Sequence, residues 1–236
     1  MSQLAKQIVA VLGGSSGIGL AIAQAAAEQE ADVILLSRSL PKLQAAASTL
    51  PGHPRVIAID MVQPATVDTA MASIEAIDHL VLTAIDREYD LFGNLESISS
   101  EQVEKSFDKL RGFINATRAA KAKLRDRGSI IMLSGAGAIK PPKATSLAAA
   151  ANASIVSFAK ALAVELAPVR VNCLMPGPVE TPLHSENLER IRAWASTLPA
   201  QHFGQPQDIA QAAILLMTNP YITGHNLVLD GGYLLQ

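Results

Sequence analysis

The sequence predicts an α/β fold in which a doubly wound parallel sheet of about seven strands carries helices on both faces. Three observations predict it. Short Val, Ile and Leu runs alternate with amphipathic helical segments from one end of the chain to the other. The strand runs lack polar alternation, as expected where both faces of a sheet are covered. The first strand passes into a glycine-rich turn that opens at once into a helix.

Taken in order, strand 7–12 leads to helix 18–30, strand 32–36 to helix 41–50, and strand 55–59 to helix 65–77. Strand 79–84 precedes a long helical pattern over 100–125, and strand 129–133 precedes a second over 146–166. Strand 169–174 is followed by helices 187–198 and 207–217, and strand 226–229 closes the series. Right-handed crossovers then make the sheet parallel. No repeat or linker divides the chain, so one domain is expected over 1–236. The Gly/Pro stretches 135–142 and 176–182 follow strands and would line the carboxyl edge, where ligands bind in such folds.

The 236 residues carry 19 Lys and Arg against 21 Asp and Glu, a net charge of −2. That balance gives little electrostatic support for nucleic acid or an anionic membrane as partner. The longest apolar stretches are strand-sized, and the Ala-rich segment 148–151 reads as too weakly apolar to span a bilayer. The amino end runs straight into a strand without an h-region, and the expected location is cytoplasmic. Cys173 is the one cysteine and reads as a small buried hydrophobe. Five histidines without a His-x-x-x-His pair give no support for a metal site.

The turn is Gly13-Gly14-Ser15-Ser16-Gly17-Ile18-Gly19. Glycines keep side chains out of the tight turn, the approach to a pyrophosphate and the helix–strand contact. The helix then offers free N–H groups and a partial positive charge to the anion. Ser15 and Ser16 add hydroxyl donors. The second strand ends Ser37-Arg38. An acidic residue there would bond the ribose 2′-hydroxyl of NAD, whereas Arg accommodates a 2′-phosphate, so NADP(H) is the expected cofactor.

Further along, Asp60 closes the third strand, Leu82-Thr83-Ala84-Ile85 ends the fourth, and Pro176-Gly177 follows the sixth and leads to Glu180-Thr181-Pro182. Asn172, Thr223-Gly224 and Asp230-Gly231-Gly232 complete the set. Together with the glycine loop, these features resemble the short-chain dehydrogenase/reductase family over essentially the whole chain. Leu12 stands where a Thr is usual, and the asparagine-rich turn usual after the fourth strand is replaced by residues 82–85.

The resemblance implies a Rossmann-like sheet and homo-oligomers, dimer or tetramer, packed through helices 100–125 and 146–166. It also implies cofactor contacts at Gly13, Ser15, Ser16, Gly17, Ile18, Gly19, Ser37, Arg38, Asp60, Met61, Thr83, Ala84, Pro176, Gly177, Val179 and Thr181. Active members carry Asn, Ser and Tyr-x-x-x-Lys. Here the Tyr position is Ala148, the Lys position Asn152, the Ser position Gly135 and the Asn position Lys109. Tyr89, Tyr221 and Tyr233 are the only tyrosines, and none has Lys four residues on.

Two readings follow. In one the chain is an NADP(H)-dependent carbonyl/alcohol oxidoreductase in which Ser134 and Lys109 replace the missing groups, since general acid catalysis supplies only about 10²–10⁴-fold. In the other it binds NADP(H) without turnover, as a sensor or scaffold. Polar residues near the site edge are Asp86, Glu88, Tyr89, Asp90, Lys140, Lys143 and His184, the last being the side chain most easily poised near neutral pH. Leu183, Leu188, Ile191 and Trp194 in segment 181–199 suggest a small-molecule substrate that is partly hydrophobic.

Overall fold

A computed structural model describes residues 2–85, 91–182 and 188–236, the side chains of 188–191 excepted. Tyr89 with Asp86, Glu88 and Asp90, His184, Leu183, and the side chains of Leu188 and Ile191 therefore lie outside the described residues.

Among the described residues the seven strands are β1 (Ile8–Leu12), β2 (Asp32–Ser37), β3 (Arg55–Ala58), β4 (Ile77–Leu82), β5 (Leu124–Leu133), β6 (Arg170–Pro176) and β7 (Asn226–Leu229). They form one sheet in the order β3-β2-β1-β4-β5-β6-β7, and every described pairing is parallel. The order reverses between β1 and β4, which opens the crevice beyond their carboxyl ends.

Alternate residues of each strand feed two cores. Val9, Val11, Val33 and Leu35 pack with α1 (Gly17–Glu28), α2 (Leu40–Ala47) and α8 (Pro206–Thr218). Ala10, Leu12, Ile34 and Leu36 pack on the other face with α3 (Pro64–Ala72), α5 (Asp108–Ala120) and α6 (Ser146–Glu165). Both faces being covered, the strands have no polar side to show. Cys173 is fully buried in β6, as the sequence suggests.

The structure corrects two expectations. The helix expected over 100–125 is two helices, α4 (Ser100–Ser106) and α5, meeting at Phe107. Asp108 is buried at the start of α5 and pairs with Lys105 at 3.6 Å and Arg111 at 3.3 Å. Its carboxylate also lies in the first turn of α5, where negative charge complements the helix dipole. The tail of the same segment belongs to β5, which starts at Leu124 where it pairs with Ile77 of β4, and Arg125 pairs with Asp78 at 3.1 Å.

The second correction concerns the apolar character of segment 148–151, within a helix that stands where it was expected. Helix α6 has 20 residues and a mean hydropathy of 1.6, which meets the length and composition of a spanning helix. Its Ala151, Ile155, Ala159 and Leu162 are buried in the core beside the sheet, while 22% of its apolar window in all is buried within this chain. The remaining helix, α7 (Leu188–Ala195), carries Trp194, whose ring meets Tyr233 edge-on at 5.6 Å.

A cavity of about 290 Å³ opens at the amino edge of the sheet, lined in part by Gln7, His79 and Arg170. Its polar groups serve the fold. Arg170 donates to the carbonyls of Leu216, Met217 and Ile222, which closes the carboxyl end of α8. His79 bonds Ser129 Oγ at 2.8 Å and Gln7 Oε1 at 2.6 Å, and burial pushes its pKa down to about 4.

Candidate active site

The residues expected to bind cofactor come together along the carboxyl edge. Residues 13–19 join β1 to α1, Ser37 ends β2 with Arg38 next, and Asp60 and Met61 follow β3. Thr83 and Ala84 follow β4, while Pro176 ends β6 ahead of Gly177, Val179 and Thr181.

The glycine loop is shaped by close approaches. Gly13 has φ +94° and Gly17 φ +56°, conformations that L side chains rarely adopt. A Cβ on Gly13 would lie 2.6 Å from the Ala84 nitrogen, and one on Gly19 would lie 2.3 Å from the Gly13 carbonyl oxygen. Thr83 supports the loop from below, its hydroxyl donating to the Leu12 carbonyl at 3.0 Å. Over the loop, Thr181 stands 3.6 Å from the place a Gly17 Cβ would take. Segment 177–181 passes tightly here, since a Cβ on Gly177 would meet the Asp230 backbone at 2.7 Å.

Two features fit a dinucleotide. Helix α1 has Ser16 at its N-cap without a side-chain cap bond and no acidic residue in its first turn, so a phosphate could take those N–H groups. At the end of β2, Ser37 Oγ is buried without a hydrogen-bond partner among the described residues, at the strand position where such folds meet the adenosine ribose. The adjacent Arg38 is exposed at the same edge.

Other expected contacts are partly absorbed by packing. Asp60 Oδ1 accepts from the Val62 N–H at 3.1 Å, holding the turn after β3. Met61 is buried beneath α5, where a Cβ on Gly112 would come within 2.5 Å of it, and its carbonyl accepts from Asn115 Nδ2 at 3.0 Å. Val179 is buried and pairs with Gly204. For Met61 and Val179 the side chains belong to the core, leaving the backbone to serve a ligand.

The catalytic candidates meet at one point. Lys109 projects from α5, and its ammonium donates to Asn152 Oδ1 of α6 at 3.2 Å. The same ammonium lies 5.8 Å from the Phe113 ring centre. Burial pushes the Lys109 pKa down to about 8, the neighbouring Cys173 acting weakly in the other direction. Burial also pushes the Cys173 thiol up to about 11. Ser134 follows β5 and donates its hydroxyl to the Asn152 main-chain carbonyl at 2.8 Å. Its proton is thus committed to α6, and what it can offer a ligand is an acceptor oxygen.

Asn152 is the residue the sequence reading left out of the site. The signal was present, because Lys109 and Asn152 occupy each other's expected positions, but only the packing of α5 against α6 shows that they touch. Lys140 turns out to serve the carboxyl tail. It donates to the Tyr233 and Gln236 carbonyls and lies over the Tyr233 ring, while the Tyr233 hydroxyl donates to the Lys140 carbonyl. Lys143 is exposed. Among the described residues no group of His, Cys, Asp and Glu could hold a metal ion.

A parallel sheet with a glycine loop at its switch point and an uncapped helix beyond it defines a dinucleotide-binding protein. A sequence profile of the family described as "Enoyl-(Acyl carrier protein) reductase" matches residues 13–234. A 3-oxoacyl-[acyl-carrier-protein] reductase from Bos taurus is 31% identical over 235 residues, covering 96% of this chain and 97% of that protein. Among solved structures, a blue fluorescent protein from a metagenomic library in complex with NADPH superposes with a TM-score of 0.89 at 28% identity, covering 98% of this chain and 99% of its own. L-Sorbose reductase from Gluconobacter frateurii, complexed with NADPH and L-sorbose, gives 0.90 at 25% identity with full coverage of both chains. The chain belongs to the short-chain dehydrogenase/reductase family, whose members are oxidoreductases.

Proposed function

We propose that this protein is an NADP(H)-dependent oxidoreductase interconverting a carbonyl and an alcohol, with Lys109 as the cation and proton donor of a non-standard site. The observation that carries the reading is the meeting of Lys109 with Asn152 and Ser134 on the ligand edge. Gly13, Ser15, Ser16, Gly17, Ile18 and Gly19 would hold the pyrophosphate. Ser37 and Arg38 would take the 2′-phosphoribose, Arg38 by charge-assisted bonds. Asp60, Met61, Thr83 and Ala84 would flank the adenine and ribose, and Pro176, Gly177, Val179 and Thr181 the nicotinamide end. Bound NADPH supplies the hydride.

Lys109 has what a proton donor needs, a titration point drawn down near neutrality and, among the described residues, a proton held by a neutral amide. In the reductive direction it stabilises the developing negative charge on the substrate oxygen and gives up its proton there. Ser134 fixes the amino-terminal half of α6 against β5, so that Asn152 and Lys109 keep their places. Ala148 in place of tyrosine is the observation favouring binding without turnover.

The substrate is a small molecule, partly hydrophobic. Ile139 is 58% exposed beside Lys140, and Trp194 is 39% exposed against Tyr233, so that wall offers apolar surface. Homo-oligomers would bury Val103, Phe107, Ile114 and Val164, apolar residues exposed at α4, α5 and α6.

The test is a titration of the purified protein with NADPH and NADH, followed by turnover of an aldehyde and ketone panel. Tight NADPH binding with turnover that Lys109→Ala lowers about 10²–10⁴-fold is the expected result. Binding without turnover on any carbonyl or alcohol would leave a sensor or scaffold, and absence of binding would overturn the reading altogether.

A further inference from the structure

Three residues, Lys109 of α5 and Ser134 and Gly135 after β5, converge on Asn152 of α6. Asn152 accepts the Ser134 hydroxyl on its main-chain oxygen at 2.8 Å and the Lys109 ammonium on its side-chain oxygen at 3.2 Å. A Cβ on Gly135 would stand 3.2 Å from Asn152 Nδ2, tighter than most real contacts. We propose that Asn152 is a positioning residue that sets the place and charge state of the Lys109 ammonium, and that Gly135 is side-chain-free to admit its carboxamide. The inference rests on the oxidoreductase reading for its catalytic consequence, but not for the pairing itself.

A lysine head on four rotatable bonds loses considerable rotamer entropy when fixed, so an unanchored ammonium would not stay at the ligand edge. The groups facing it are Asn152 from α6, Cys173 from β6 and Phe113 from its own helix. Ser134 adjoins them through Asn152 and the Cys173 thiol. Asp108, next to it in sequence, is engaged with Lys105 and Arg111. Among the described residues no carboxylate pairs with Lys109. An amide oxygen therefore has a particular value here. It accepts one ammonium proton and so favours the charged form, yet it lacks the full charge that would hold the proton too firmly to be given up. Aspartate at 152 would overdo the first effect, and leucine would remove both.

The experiment follows the Lys109 amine by NMR in protein labelled at lysine side chains, its signal identified by loss in Lys109→Ala. Asn152→Leu should lower the titration point and Asn152→Asp raise it by about one unit or more, a tenfold change in proton affinity. Gly135→Ser, by displacing the carboxamide, should move it in the same direction as Asn152→Leu. On a verified substrate, Asn152→Leu should lower kcat about tenfold with the KM for NADPH within about twofold, and the alkaline limb of kcat should follow the NMR shift. If Asn152→Leu fails to fold, Asn152→Asp is near-isosteric and still reads the coupling. A Lys109 titration unchanged in Asn152→Asp overturns the proposal. A titration that moves as expected in a protein that reduces no carbonyl keeps the pairing and overturns only the oxidoreductase reading.

Discussion

Gly19 and Gly13 close the cofactor loop on each other, for a Cβ at Gly19 would lie 2.3 Å from the Gly13 carbonyl oxygen. Neither atom is the movable end of a side chain, so the loop itself would have to shift. Gly19→Ala should cost about 1–3 kcal/mol by overpacking, lowering Tm by roughly 2–12 °C, and weaken NADPH binding at least about tenfold. Gly137→Ala is the control, since nothing lies within 4 Å of a Cβ there. Thermal melts and a fluorescence titration read both effects, and equal behaviour of the two variants would refute the argument.

Arg38 bears on which dinucleotide is chosen. Arg38→Ala should weaken NADPH about 10–100-fold, the worth of a charge-assisted phosphate contact, while NADH changes by no more than about twofold. Competitive titration with the two cofactors measures this directly. Equal losses for both would mean that Arg38 supports the fold rather than the 2′-phosphate.

The pH profile should carry the mark of Lys109. Burial places its pKa at about 8, so the ammonium is present below that value and lost above it. Reduction, which consumes a proton, should be flat below pH 8 and fall with rising pH beyond it. Alcohol oxidation should rise with pH through the same point. Lys109→Ala should remove the limb and lower kcat about 10²–10⁴-fold. A limb that survives the substitution would assign it to another group.

Stability at acid pH depends on His79. Its folded pKa is about 4, below the 6.5 usual for histidine, because burial disfavours the charged ring. Between those values the unfolded chain binds the proton and the folded one does not, so stability rises with pH through that window. Falling from pH 7 to below 4 should therefore lose roughly 3 kcal/mol from this group alone. Urea unfolding of wild type and His79→Asn at pH 7 and pH 4.5 checks the sign. The variant should show the smaller change between the two.

The long helix expected over 100–125 shows how local pattern falls short. Helical periodicity there continues past Phe107, yet the buried Asp108 with Lys105 and Arg111 divides α4 from α5. The helix over 146–166 stands as expected, but the reading of segment 148–151 as too weakly apolar to span a bilayer failed. The apolar content of α6 reaches that of a spanning helix, and only the tertiary structure shows that Ile155, Ala159 and Leu162 of one face join the core. The glycine loop, by contrast, was legible as written, because a positive φ at Gly13 and Gly17 is a property of those residues and their immediate neighbours.

The sequence by itself determined the alternation of strands and helices, the glycine loop and the charge at the end of β2. Each depends on residues a few positions apart, where backbone preference and side-chain period act directly. The tertiary structure decided what meets across the fold. Lys109 and Asn152 are 43 residues apart in the chain, and His79 finds Gln7 and Ser129 at separations of 72 and 50. Such contacts arise from the packing of elements on a shared sheet, and the pKa values of Lys109 and His79 come from the same burial. No local pattern contains them, because the dielectric around a side chain is made by residues distant in sequence.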